Sequence, residues 1–187
     1  MTTAHAGAAE LMTAEELAEL PDDGMRHELI EGELRTMAPA GKRHGRIAFR
    51  VGRLVGTHVE RRGLGECYAA ETGFVVRRDP DTVRAPDLAF VQAGRDPDPD
   101  DPAFSATVPD LVVEVVSPSD RASDVTAKAV FWLDAGVRLV WVIDPATRMV
   151  TVHRDGSVIH LLRGDDATLS GEDVLPGFAV RLEDLFA

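Results

Sequence analysis

Residues 83–91 read VRAPDLAFV, residues 109–120 read PDLVVEVVSPSD, and residues 121–132 read RASDVTAKAVFW. The first two carry short apolar runs opened by proline and aspartate. They are too short for helices and rich in valine, so they read as strands, roughly Arg84–Gln92 and Leu111–Val116. The third changes period. Val125, Ala129 and Trp132 recur at helical spacing, and a helix is expected from about Ser123 to Ala135, with Gly136 closing it. RLVWVI (138–143) follows as an unbroken apolar run, the pattern of a strand buried on both faces. A strand that follows a helix can lie parallel to an earlier one. The expected fold class is therefore α/β, a central mixed sheet flanked by helices.

Three charged groups interrupt these apolar segments: Asp87, Glu114 and Lys128. A buried carboxylate without a partner costs roughly 3–5 kcal/mol, so each acid needs a cation or a donor. Neighbouring strands lie about 4.8 Å apart, close enough for two such acids to share one metal ion. Lys128 shares the apolar face of its helix with Val125, Ala129 and Trp132, so it points toward the sheet. That set suits phosphodiester hydrolysis. Carboxylates hold Mg²⁺ or Mn²⁺, the ion neutralises phosphate and generates hydroxide, and the ammonium orients water or steadies phosphate charge. Plainer readings stand beside it: Asp87 paired with an arginine such as Arg84, and Glu114 with Lys128 as a structural ion pair. Glu28 and His44 are auxiliary candidates, although Glu28 in a hairpin could equally face solvent.

Outward from this centre, Thr13 and Glu16 form a capping box for a short helix, Ala14 to Leu20, and Met12 can staple onto Leu17. HELIEGELRTM (27–37) alternates about Glu31-Gly32, a hairpin signal. Residues 43–62 carry Ile47, Val51, Leu54, Val55 and Val59 near one helical face and Arg46, Arg50 and Arg53 on another. These arginines read either as a solvated face or as a nucleic-acid contact. A strand over Glu66–Arg77 is expected next, with Asp79-Pro80-Asp81 turning into the strand that carries Asp87. Residues 93–108 form a Pro/Asp-rich loop. Late strands are expected at Met149–His153 and Val158–Leu162, joined by an Asp155-Gly156 turn. From Leu169 a short strand and a terminal helical turn, Leu182–Phe186, complete the chain. His153 and His160 have no chemical role in this reading.

The composition narrows the classes. The chain has 187 residues and 44% hydrophobic residues, which suits one domain over 13–187 behind a mobile tail over 1–12. A single cysteine, Cys67, excludes a disulfide framework and a multi-cysteine zinc site. It reads as core packing, and a reducing, cytoplasmic location fits best. No apolar run is long enough to span a membrane, and the N-terminus shows neither a basic start nor an apolar signal core. The net charge of −12 argues against a general nucleic-acid coat, yet residues 42–62 are strongly basic, so one cationic face remains.

HELIEGEL, His44 before the long helix, APDLAFV, PDLVVEVVSPSDR, Lys128, AGVRLVWVIDP and LPGF together resemble the Uma-type endonucleases of the PD-(D/E)XK nuclease superfamily, over nearly the whole chain. The resemblance implies a restriction-endonuclease-like αβββαβ core with a metal ion on the second and third core strands. It implies DNA as substrate and a possible homodimer. Asp87 matches the aspartate of the PD element and Glu114 the acid of the (D/E)XK element. The position two residues after that acid is Val116; in this subgroup the lysine comes from the following helix, where Lys128 fits. The alternative is a protein that keeps the fold and binds nucleic acid, or another partner, without cutting.

Overall fold

The computed structural model describes residues 11–154 and 158–187. The expected tail falls mostly outside them, as does the Asp155-Gly156 turn. Helix α1 spans Ala14–Ala18, shorter than expected, and is opened by the capping box: Thr13 Oγ1 accepts from Glu16 N, and Glu16 Oε2 accepts from Thr13 N at 2.8 Å. Strands β1 (Arg26–Ile30) and β2 (Glu33–Met37) form the hairpin. Its turn residues Glu31 and Gly32 both have positive φ, 52° and 78°, the geometry that matches strand twist.

Helix α2 spans Lys42–Arg62 and buries Ile47, Val51, Val55 and Val59, the expected face. The strands expected at Glu66–Arg77 and Arg84–Gln92 are each broken in two. β3 (Gly65–Ala69) and β6 (Leu88–Gln92) pair in a large sheet, whereas β4 (Phe74–Arg77) and β5 (Thr82–Arg84) join the hairpin in a small one. The physical reasons sit at the breaks. At Gly73 any Cβ would lie 2.5 Å from the Phe104 ring, so backbone and loop approach closely there. At Pro86 the missing N–H cannot continue a ladder. Asp87 therefore stands at the corner between the two sheets, immediately before β6.

β7 (Leu111–Val115), α3 (Ala122–Asp134) and β8 (Leu139–Asp144) follow, with β8 parallel to β7. β9 (Met149–Arg154) and β10 (Val158–Leu162) extend the large sheet, whose order is β10-β9-β8-β7-β6-β3. The chain order α2, β3, β6, β7, α3, β8 is the αβββαβ core. The final segment holds two short strands rather than one, β11 (Thr168–Ser170) and β12 (Ala179–Arg181), before α4 (Leu182–Phe186).

Strand alternation distributes the core. Leu111, Val113 and Val115 face a cluster with the apolar stripe of α2 and with Leu182, Leu185 and Phe186 of α4. Val112, Val140 and Val142 face the other way, onto Ala129 and Trp132 of α3. Leu139–Ile143 is buried on both faces, as its pattern predicts. Glu114 has the parity of Val112 and so lies on the α3 side, where Lys128 can reach it.

Candidate active site

Glu28 from β1, Asp87 from the corner before β6 and Glu114 from β7 are all buried, and they line one cavity of about 580 Å³. Arg26, His44, Arg84 and Lys128 line it too. Adjacent strands place Asp87 beside Glu114: Asp87 N donates to Val113 O at 3.1 Å, and Asp87 Oδ2 accepts from Val115 N at 2.7 Å.

Lys128 Nζ lies 2.8 Å from Glu114 Oε2 and 3.7 Å from Glu28 Oε1. The other Glu114 oxygen accepts from the Trp132 indole N–H at 2.7 Å. Lys128 and Trp132 are four residues apart on α3, so one helical face delivers both donors to one carboxylate. Burial pushes the Glu114 carboxyl above its usual range, and Lys128 only partly opposes that. Burial would lower the Lys128 ammonium, but the charges of Glu114 and Glu28 outweigh it and hold the proton there. The hairpin acid Glu28 faces inward, correcting a solvent-facing reading. Its Oε1 accepts from Ala85 N at 3.2 Å, and Arg84 Nε lies 3.5 Å from its Oε2. Arg84 thus partners Glu28 rather than Asp87.

The partners of Asp87 are His44 and Arg26. His44 is buried in the first turn of α2, and its Nε2 lies 3.1 Å from Asp87 Oδ2. Burial would raise the Asp87 pKa, but the hydrogen bond and charge of His44, with the Val115 N–H, bring it below the usual carboxylate value. The same bond raises His44 above the ordinary imidazole value against its burial. Arg26 Nη1 is 3.8 Å from Asp87 Oδ1, too far for a hydrogen bond. Among the described residues Asp87 Oδ1 accepts none.

A hard divalent ion requires oxygen donors and open coordination positions. Among the described residues no three His, Cys, Asp or Glu side chains converge into a ready-made cage. Mg²⁺ does not need one; it is held by one or two carboxylates and keeps several waters. Asp87, with a free oxygen on the cavity wall, fits that requirement; Glu114, whose two oxygens already accept from Lys128 and the Trp132 indole, can offer an ion only its remaining lone pairs.

The structure brings five sequence-predicted residues together: Asp87, Glu114, Lys128, His44 and Glu28. It does not bring the arginine face to them. Arg46 Nη1 donates to Ala187 O at 2.7 Å, and Arg50 donates to Leu185 O and Ala187 O, so both tie α2 to the C-terminal helix. Arg53 is exposed on α2. Sequence reasoning missed Arg26 as a cavity cation and Trp132 as a donor, and offered Arg84 to Asp87 where the structure gives it to Glu28. Arg84 and Trp132 do carry a signal, being polar groups in otherwise apolar segments. Arg26 carries none, since its partner lies far along the chain. Cys67, partly buried in β3, has its thiol pushed up to about 12 by burial, consistent with packing. Burial holds His153 below the usual imidazole value.

An acid at the corner before β6, a second acid on β7 and a lysine on α3 sit together on an αβββαβ core. The sequence matches the Uma2 family, described as "Putative restriction endonuclease", over residues 14–183, and the chain belongs to that family. Its structure resembles the crystal structure of "a putative nuclease belonging to DUF820" from Anabaena variabilis, with a TM-score of 0.79 and 22% identity over 94% of this chain and 97% of that one. At that identity the likeness shows the shared fold. No curated protein sequence matches the chain. No described helix is long and apolar enough to cross a membrane.

Proposed function

We propose that this protein is a Mg²⁺- or Mn²⁺-dependent endonuclease that hydrolyses DNA phosphodiesters in the cytoplasm, with Asp87, Glu114 and Lys128 as its catalytic residues. The observation that carries the reading is the Glu114–Lys128 contact at 2.8 Å on the wall of the cavity that Asp87 enters. When bound at Asp87 and Glu114, the ion supplies Lewis acidity toward phosphate and a more acidic water. The chain does the positioning. Trp132 and Lys128 fix the Glu114 carboxylate from one side, so its rotamer is set before substrate arrives. His44 and the Val115 N–H fix Asp87 through one oxygen and leave the other facing the cavity. Lys128, held charged, aligns the attacking water or offsets the charge that grows on phosphate. Glu28 keeps the ammonium in place from its second side. The domain spans 13–187, and a homodimer suits an enzyme that makes paired cuts.

Nicking of supercoiled plasmid in Mn²⁺ tests this. Wild type should cut, chelator should stop it, and Asp87→Asn should be inactive while still folded. Cutting by Asp87→Asn at the wild-type rate would remove the residue from the mechanism.

One observation favours a second reading. Glu28, Asp87 and Glu114 already face Arg26, Arg84, Lys128 and His44, so the acids are charge-compensated within the protein. A protein that keeps the fold and binds nucleic acid without cutting would show this balance, and would bind the plasmid with no metal-dependent product.

A further inference from the structure

Helix α2 carries a feature that the cavity chemistry does not use. Phe49 is 75% exposed at the middle of a long helix whose opposite face is core. A helix advances about 100° per residue, so Lys42, Arg46, Phe49 and Arg53 lie along one line opposite Ile47, Val51 and Val55. The line begins next to Gly41 and His44, which border the cavity, and runs about 16 Å away from it. Two of the four positions one turn from Phe49 are glycines, Gly45 and Gly52, and the other two are Arg46 and Arg53. A Cβ added at Gly45 would meet nothing within 4 Å, and at Gly52 only a Leu88 methyl at 4.0 Å. Gly residues inside a helix cost about 1 kcal/mol each, so a bare aromatic here is held at some expense.

From this geometry we infer that the outer face of α2 is a nucleic-acid track on which Phe49 stacks an unpaired base, flanked by phosphate contacts from Lys42 and Arg53. The inference rests on the nuclease reading and narrows its substrate to nucleic acid with single-stranded character. Charge selects the occupant. In a chain of net charge −12 this ridge exposes Lys42 and Arg53, with Arg46 tied to Ala187 O beside them and no acidic side chain on the line. A polyanion is attracted there, whereas a second copy of the ridge would set like charges against each other. An exposed aromatic between cations is what sequence-tolerant base stacking requires, because every base has a π face.

The test is fluorescence anisotropy with labelled single-stranded and duplex oligonucleotides of equal length, in chelator so that nothing is cut. Phe49→Ala should weaken single-strand binding roughly 5- to 150-fold, the range of one lost base stack, and leave duplex binding within about twofold. Phe49→Trp should bind as wild type does, with its indole emission quenched by the oligonucleotide. Arg53→Glu should weaken both ligands and flatten the salt dependence. Unchanged single-strand binding by Phe49→Ala, with wild type binding normally, overturns the inference and leaves the nuclease reading standing. A Phe49→Ala change from dimer to monomer in light scattering also overturns it, assigning the face to a second copy. If wild type binds no oligonucleotide at all, the nuclease reading falls with it.

Discussion

Replacing Lys128 by methionine keeps the length and apolar stem of the side chain and removes its charge. Glu114, whose side chain is 11% exposed, then loses the ammonium at 2.8 Å and keeps only the Trp132 N–H. Removing one partner of a buried pair costs roughly 3–5 kcal/mol. Lys128 is itself 25% exposed, and Glu28 retains Arg84 and the Ala85 N–H, which places this case near the lower end, about 3 kcal/mol. In a chain of this size that lowers Tm by roughly 6–12 °C. The loss should depend on pH. A carboxyl whose folded pKa lies above its unfolded value binds more protons when folded, so it lowers stability as pH rises and stops doing so once both states are protonated. Burial already raises Glu114, and removing Lys128 takes away the largest opposing influence. Urea melts should therefore show a deficit at neutral pH that shrinks toward about pH 5. In Glu114→Gln/Lys128→Met the amide oxygen still accepts from Trp132, and stability should return to within about 1 kcal/mol of wild type. A single variant within about 0.5 kcal/mol of wild type, or a double variant no better than the single, would refute the claim that this pair is buried and coupled.

Other expectations are independent of catalysis. His44 has a raised folded pKa, so the stability it adds is fully present below the ordinary imidazole value of about 6.5 and is lost as pH rises through the folded value. Melts of wild type against His44→Ala should show a gap that closes on moving from mildly acidic to alkaline buffer; a gap that widens contradicts the Asp87 contact. Gly65 has φ 146°, and an added Cβ would sit 2.0 Å from Val91 O, so Gly65→Ala should cost at least about 2 kcal/mol in chemical denaturation. Thr13→Ala removes the capping box and should cost about 1 kcal/mol, read the same way.

The large-scale architecture was legible because period and length both spoke. The α2 stripe, the doubly buried run 139–143 and the Glu31-Gly32 turn each admit one element, and each is found. The helical face of Lys128, shared with Val125, Ala129 and Trp132, pointed it toward the sheet that carries Glu114. What stayed hidden depends on where the chain changes sheets. Glu66–Arg77 and Arg84–Gln92 read as continuous strands because β propensity persists across Gly73 and Pro86, whereas the structure bends at both to build the small sheet. That bend makes the cavity. It carries Glu28 and Arg26 of the hairpin over the end of β7, a juxtaposition no local pattern encodes. The arginine face was visible as charge, but the tie of Arg46 and Arg50 to the last residues was not.

Calorimetric titration of Mn²⁺ into wild type and into Asp87→Ala puts the metal-nuclease account to its most direct test. One saturable site is expected in wild type, absent in the variant at the same concentrations and with unchanged folding by circular dichroism. Wild type that takes up no ion at millimolar concentration, or a variant that binds as tightly, would contradict it and leave Asp87, Glu114 and Lys128 as a charge-compensated cluster.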